Sequence, residues 1–520
     1  MNTYDLLTSD RQRIETTCDV CIIGAGAAGL YLATRLVAKG FSVVLLEAGG
    51  AVCVDGNSFG TLPKFGAELY PGATLGRSFG LGGSTSRWGG VLIPHSQYDV
   101  RNNGQTGFDA WQAIVATVNA RTQAVLTNLG LGQEDDFASL PRQKLGQVVD
   151  VLKAQGLETT SAMFLPFRRR NLSYLLARQS NQKLSIYLNA VCTSFQARAS
   201  DGGLSSISEI EAKTVTGNAI KVQAKQIVIA AGAIESARIL LELRKSSTTP
   251  VVSETAAIGC YLADHLSCRI ADVNGADAKK IAVRFGPRFK GGLLRSFRFL
   301  EKTPLPHSPR WFAHFIYDID NPAFRLAKEW LLSIQSRRRP NLGLADYFKG
   351  VIGLFSFAYA QYLQGALYIP NGTPVHLQLD IEQVSIRQNA VELADELDQH
   401  GRPIAKINWR VTEEDYKNIQ QAAEHILKKW PTGSTEIPVL SPVFINGNGP
   451  KPHDAYHPVG TCRMGTDAEA VVDPHLRVCG TENLWVLSTG VLPSAGTANP
   501  TFTMLCLGDA MVDQLEIALK

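Results

Sequence analysis

The run Gly24-Ala25-Gly26-Ala27-Ala28-Gly29 constrains this chain more than any other stretch, because of what flanks it. Before it, Cys18 to Ile23 is a short apolar run rich in β-branched residues, the pattern of a strand buried on both faces. After it, Leu30, Ala33, Leu36 and Val37 recur at helical spacing up to Gly40, and Ser42 to Leu46 reads as a second strand that delivers Glu47. Strand, glycine turn, helix, strand and acid together make a βαβ unit of the dinucleotide-binding kind. In such a unit Gly24 permits the tight turn, Gly26 lets backbone approach a pyrophosphate, and Gly29 lets helix and strand pack closely. Glu47 follows where a carboxylate can accept hydrogen bonds from ribose hydroxyls.

The rest of the chain extends this unit and interrupts it. The segment Gly76 to Gly90 is so rich in glycine that its backbone N–H groups are free to surround an anion or a flat ring, which makes Gly82, Gly83 and Ser84 candidate cofactor contacts. Lys225 to Leu241 is again strand, glycine turn at Gly232, and helix, and Ser185 to Val191 reads as a further strand ending near the adenine. From Ala271 to Pro450 the texture changes to strands of alternating polarity and a helix from Glu413 to Lys429, with Thr412 as its N-cap. The expected fold class is therefore α/β: a discontinuous Rossmann-like domain in three pieces (14–93, 180–270 and 452–520) with an α+β substrate domain on an antiparallel sheet (271–451). The segment 94–179 is expected to be an insertion covering the substrate.

A chain of 520 residues can bury two such cores. Its 51 Lys+Arg against 47 Asp+Glu give a net charge of +4, with no basic stripe, which argues against a nucleic-acid partner. Nine scattered cysteines, an odd number, argue against a disulfide framework and for a reducing compartment. Cys18 and Cys21 look like a redox pair, but on a strand residues three apart point to opposite faces, so packing is the expected role. Met1 to Thr17 carries no apolar signal segment, and the expected location is the cytoplasm. Val351 to Ile369 is uncharged and follows Arg337-Arg338-Arg339; it is expected to be a buried or substrate-lining helix, with a peripheral membrane contact as the alternative.

The chemistry is concentrated at the C-terminal end. His457-Pro458-Val459-Gly460-Thr461-Cys462 and Ala498-Asn499-Pro500-Thr501 place an imidazole and a carboxamide beside prolines. A neutral histidine, with an ordinary pKa of roughly 6.5, can take the proton of an alcohol while an asparagine holds the oxygen in place. Asn499-Pro500 also fits an N-cap with proline at the first position of a helix running to about Leu519, so catalysis and capping are both expected of Asn499. His453 and His457 have the spacing of a helical metal pair, but Pro452 and Pro458 bracket them and no metal site is expected.

Taken in order, Gly24 to Gly29 with Glu47, the Gly82-Gly83-Ser84 loop, Ala231 to Ser236, Gly259 to His265 and the His457 to Thr503 block resemble the glucose–methanol–choline oxidoreductases. This resemblance spans nearly the whole chain. It implies FAD rather than NAD, with His457 as the base, Asn499 as the second active-site residue, and hydride transfer from an alcohol carbon to flavin N5. It further implies that Ser84 faces the flavin and Val191 touches adenine, while Pro500 and Thr501 bring a positive helix end to the flavin pyrimidine. Pyranose oxidases carry a flavin-tethering histidine in a similar segment, where this chain reads Thr85-Ser86-Arg87-Trp88, so the FAD is expected to be non-covalent. The closing S-T-G-V-L-P-S-A-G-T-A-N-P-T looks most like bacterial sugar-oxidising members, implying a sugar, glycoside or cyclitol. A lipid or sterol alcohol at a membrane surface and a non-catalytic carrier on the same fold are the alternatives, and the electron acceptor is left open among oxygen, a quinone and a protein.

Overall fold

The computed structural model describes residues 2–101, 109–132, 136–178, 182–199, 204–247, 251–274, 281–341, 343–434, 436–443 and 449–520, with the side chains of 344–353 left aside. Two sheets organise the chain.

The first sheet has eight strands in the order Asn2–Asp5, Leu184–Leu188, Val43–Leu46, Arg13–Ile23, Ala219–Ile229, Ser205–Lys213, Val191–Ala199, with Leu484–Val486 also paired to Ala219–Ile229. The pairings from Asn2–Asp5 through Ala219–Ile229 to Leu484–Val486 are parallel, and the last two strands run antiparallel. The apolar runs read from sequence supply its middle: Val20, Cys21, Ile22, Leu45, Val228 and Ile229 are buried, as strands covered on both faces require. The helix Ala27–Ala38 packs on the C-terminal helix Pro500–Leu519, where Leu505, Met511 and Leu515 are buried. Buried Tyr31 and half-buried Arg35 on the first helix both reach Asp509 on the other, at 2.9 and 3.0 Å.

The structure differs from the sequence reading at several points. Asn2–Asp5, ahead of the first expected domain boundary, forms an edge strand on Leu184–Leu188. The strand expected over Ser185 to Val191 breaks at Asn189, whose φ of 53° is left-handed, and Val191 opens a new strand instead. Cys18 and Cys21 are free and buried, and burial pushes the Cys18 thiol up to about 12 and that of Cys21 well above its usual value, which suits packing and not redox exchange.

The second sheet is antiparallel: Leu440–Pro442, His265–Val273, Val375–Glu382, Trp311–Tyr317, Leu293–Glu301, Leu157–Phe164 and Val91–Leu92, with Arg288–Lys290 and His453–Asp454 at its margins. One face is an aromatic core in which Phe299 and Phe315 meet Phe285 and Trp430 edge to face. The helix Glu413–Lys429, closed by a Thr412/Asp415 capping box, contacts Val375–Glu382. Register fixes what the opposite face carries. Ser267 pairs with Asp380, Asp380 with Phe312 and Gln378 with His314, while Leu300 pairs with Phe312 and Arg298 with Thr160. Paired residues share a face, so His265, Ser267, Asp380, His314 and Arg298 form a buried polar floor.

The uncharged segment after Arg339 lies in the helix Leu344–Leu363, which packs against Pro322–Ser336. The expectation of a buried or substrate-lining helix is corrected here. Ala360 is buried and Phe357 stacks on Phe324 at 6.0 Å, but Phe355 (77% exposed), Tyr359, Tyr362 and Leu363 face outward. A helix with one neighbour covers one stripe and leaves the other open. Positions 351–353 of the segment lie outside the described side chains. Among the described residues no helix is long and apolar enough to cross a membrane.

Candidate active site

A cavity of about 520 Å³ lies at the carboxyl ends of the parallel strands, bounded by Ile23, Leu46, Ala230 and Leu487. This is where an open α/β sheet binds ligands, and the volume suits a cofactor-sized molecule. At its centre is the glycine turn. A Cβ on Gly29 would stand 1.9 Å from the Gly24 carbonyl oxygen, so this position admits glycine alone and works by packing, behind the cavity wall. A Cβ on Gly26 would meet nothing within 4 Å, because Gly26 faces the open cavity as N-cap of the helix Ala27–Ala38.

Glu47 is buried beside this turn and lines the cavity. Its carboxylate accepts from the amides of Ala25 (2.7 Å), Gly49 (2.9 Å) and Gly80 (2.9 Å), thereby tying the first glycine turn to the second glycine loop. Burial raises its pKa against the pull of those three amides. The ribose-acceptor expectation therefore needs an addition: three of roughly four acceptor positions already serve the backbone.

In the second loop Gly83 and Ser84 reach the cavity within a tight helical turn, Gly83–Ser86, and Ser84 Oγ donates to the Gly76 carbonyl at 2.9 Å. Gly82 does not; its amide donates to the Ala25 carbonyl, and a side chain there would strike Asn171. Val191 and Gly232 line the wall, as do Asn499 and Thr501, whereas Pro500 is buried at the first position of its helix and stays out of it.

His457 and Asn499 meet at this end of the cavity, with Asn499 Nδ2 2.9 Å from His457 Nε2. The capping expectation for Asn499 is corrected: it occupies the N-cap position ahead of Pro500, but its side chain makes no capping hydrogen bond. Its Nδ2 is spent on His457, and its Oδ1, the atom that would cap, is buried without a partner. A chain of hydrogen bonds fixes the imidazole tautomers. The Gly496 carbonyl can only accept, so His265 Nε2, 2.9 Å away, must carry a hydrogen. A neutral His265 then accepts at Nδ1 from His457 Nδ1, at 3.2 Å, which leaves His457 Nε2 as a bare lone pair facing Asn499.

Burial, followed by the neighbouring His265, lowers the His457 pKa to about 3. Burial also lowers that of His265. Both rings are neutral at ordinary pH, as the tautomer chain requires. Asp264 holds the pair by its backbone: it accepts from the amides of His457 (2.9 Å) and His265 (2.7 Å) and from the Tyr70 hydroxyl (2.5 Å), while burial and then Asp454 push its carboxyl up to about 8. Asp264, His265 and His457 bring a carboxylate and two imidazoles within 4.8 Å of one another, a grouping that a metal ion could use. The hydrogen bonds just described already engage all three side chains. His453, the other half of the metal pair considered from sequence, is in a short strand and bonds the Asp454 carbonyl.

Asp264, His265 and Gly496 were not among the site residues read from the sequence. Gly496 has a φ of 69° and its amide donates to Glu382, which anchors the turn whose carbonyl orients His265. The glycine in Ala495-Gly496-Thr497 was the available signal, and its partner on a strand far away in the chain was not readable.

A family model described as GMC oxidoreductase matches residues 385–508, a span that includes both His457 and Asn499. Residues 385–508, which carry the candidate catalytic pair, are thus similar to the GMC oxidoreductases. A model described as an NAD(P)-binding Rossmann-like domain matches residues 22–75 of the chain, over the glycine turn and Glu47. An oxygen-dependent choline dehydrogenase of Cronobacter sakazakii is 22% identical over 96% of this chain and 94% of that protein. One of Escherichia coli K12 is 23% identical over 96% and 95%. Among solved structures, pyridoxine 4-oxidase from Mesorbium loti has a TM-score of 0.55 at 17% identity, covering 96% of this chain and 99% of that one. A formate oxidase of Aspergillus oryzae RIB40 has a TM-score of 0.57 at 16% identity, covering 96% and 98%, so both share the fold.

The chain is an FAD-dependent oxidoreductase. The residues present fit that cofactor. An uncapped helix start at Gly26 opens on a space that a side chain there would enter, and a helix start at Pro500–Thr501 meets the same cavity.

Proposed function

We propose that the chain oxidises a CH–OH group of a sugar, glycoside or cyclitol to the carbonyl, with His457 as proton acceptor and Asn499 as the residue that holds the reacting oxygen. The observation that carries this reading is the bare Nε2 of His457, aimed at Asn499 and fixed in its tautomer by His265 and Gly496. The substrate hydroxyl takes the place between the two side chains. Its O–H donates to His457 Nε2, and Asn499 Nδ2 turns from the ring to donate to the oxygen. As the C–H bond breaks, the hydroxyl proton passes to Nε2, so His457 becomes an imidazolium and the product leaves as a neutral carbonyl. FAD, when bound, supplies the acceptor for the hydride and its two electrons. Burial that lowers the pKa of His457 keeps the ring unprotonated, with Nε2 free to accept from the substrate hydroxyl.

In this reading Gly24, Gly26 and the first turn of Ala27–Ala38 hold the pyrophosphate, Glu47 and Val191 the adenosine end, and Gly83, Ser84, Gly232 and Thr501 the flavin end. Gly29, Gly82 and Pro500 shape that wall from behind. The loop Thr85-Ser86-Arg87-Trp88 offers no histidine, which supports non-covalent FAD. A cytoplasmic location goes with the free cysteines.

A second reading, a lipid or sterol alcohol met at a membrane surface, is favoured by the outward aromatic stripe of Leu344–Leu363 beside exposed Arg338 and Arg339. A non-catalytic carrier would have no use for the ordered histidine pair. The deciding experiment is an oxygen-free screen of sugars, glycosides, lipid alcohols and sterols for bleaching of the bound flavin. Sugars are expected to bleach it, and His457→Ala to keep FAD while slowing bleaching by roughly 10²–10⁴-fold. Bleaching by sterols alone would select the second reading, and an undiminished rate in the variant would remove His457 from the mechanism.

A further inference from the structure

The polar floor of the antiparallel sheet contains a buried guanidinium that Asp380 meets only through its field, with no direct ion pair among the described residues. Arg298, on Leu293–Glu301, is 5% exposed, and its Nε and Nη1 are buried without a hydrogen-bond partner. Its guanidinium lies over the Phe312 ring at 4.6 Å, and Phe312 in turn meets His265 edge to face at 5.4 Å. That contact chain, His457 to His265 to Phe312 to Arg298, runs across one face of the sheet and leads from the proposed base to the unpaired cation. The charge is felt at His457, where Arg298 contributes to holding the ring neutral.

Asp380, the carboxylate whose charge acts on Arg298, spends its hydrogen bonds elsewhere. Asp380 accepts from His314 Nε2 at 2.9 Å, from Ser267 Oγ, and from Gln378 Nε2 at 3.3 Å on each oxygen. His314 cannot compensate Arg298 in either protonation state, and burial followed by Arg298 itself lowers its pKa to about 4. Glu382, further along the same strand, is paired with Arg101. Buried cations are kept only where something pairs with them, and buried N–H groups only where something accepts from them. Arg298 is not among the residues lining the large cavity and lies behind His265 and Phe312 as seen from His457.

We propose that the alcohol oxidised here carries an anionic group, a carboxylate in the first instance, and that Arg298 receives it. This rests on the reading of His457 and Asn499 as the reacting pair. It narrows the substrate to hydroxy acids, of which sugar acids are the members that fit the sugar reading. Neutral sugars leave the guanidinium unanswered, and cationic alcohols are repelled by it.

The test uses the FAD-loaded protein. Flavin absorbance changes report binding of acetate and of its neutral isostere acetamide, to wild type, Arg298→Met and Arg298→Lys. Wild type is expected to bind acetate at least tenfold more tightly than acetamide. Arg298→Met should erase that preference while leaving acetamide affinity and bound FAD unchanged, and Arg298→Lys should keep part of it. Acetate binding no tighter than acetamide, or a preference untouched by Arg298→Met, overturns the proposal. Should Arg298→Met fail to fold, the wild-type preference and the Lys variant still decide. Oxygen-free bleaching by gluconate, glucose, glucose 6-phosphate and choline then separates the two readings. Gluconate working at tenfold or more lower concentration than glucose supports the carboxylate, and glucose 6-phosphate outdoing gluconate replaces it with a phosphate. Glucose or choline bleaching best overturns the anion proposal but leaves the alcohol reading intact. No bleaching by any of them, with acetate still bound through Arg298, removes the alcohol reading instead.

Discussion

Asn499 shows how one side chain divides its capacity. An N-cap asparagine usually contributes about 0.5–2 kcal/mol through its bond to the helix amides, but here that bond is absent and the carboxamide faces His457. Asn499→Ala is therefore expected to change stability by less than about 0.5 kcal/mol, below the usual cap loss, while slowing flavin reduction by roughly 10²-fold. Urea melts and oxygen-free stopped-flow traces on the same preparation check both halves; a large loss of stability would return Asn499 to capping. His457 gives a pH signature of definite sign. Its folded pKa, about 3, lies below its unfolded value of about 6.5, so below pH 6.5 the unfolded chain binds a proton that the folded chain refuses. Wild type should thus lose stability relative to His457→Gln as pH falls from 6.5 towards 4, by up to about 1.4 kcal/mol per pH unit, and the gap should be level above pH 7. Parallel denaturant curves of the two proteins across that range test it.

At the scale of elements, the βαβ unit was legible because each of its parts has a local cause. Apolar β-branched residues made the strand, period-3.6 apolar positions the helix, and glycines the turn. The three glycines nevertheless do different work, and sequence spacing could not separate them fully. Gly29→Ala would put a methyl 1.9 Å from the Gly24 carbonyl and is expected to prevent folding of the unit, seen as loss of soluble protein. Gly26→Ala has free space and should fold, yet bind FAD at least tenfold more weakly because the methyl enters the cavity; flavin release on dilution measures this. Equal behaviour of the two variants would contradict the geometry. The helix Glu413–Lys429 and its Thr412 cap were readable for the same local reasons. The helix Leu344–Leu363 was not, because whether an uncharged helix is buried depends on how many neighbours pack on it, and it has one main neighbour.

Across the whole molecule, the chain runs back and forth between its two large sheets. The first sheet takes strands from Asn2–Asp5 to Leu484–Val486, and the site is assembled where loops of both sheets meet. The sequence by itself determined the α/β class, the antiparallel second domain, the cofactor turn, and the pair His457 and Asn499 as the polar residues of a C-terminal block. Those follow from patterns a few residues long, set by backbone sterics and hydrophobic periodicity. Only the tertiary structure decided which nitrogen of His457 is bare, that Asn499 does not cap, that Glu47 braces two glycine loops, and that two buried nitrogens of Arg298 are left without an acceptor. Each of these depends on registers between strands far apart in the chain, where a slip of one residue would send every side chain to the opposite face. The floor that joins His265, Asp380, His314 and Arg298 exists only once four such strands are in register.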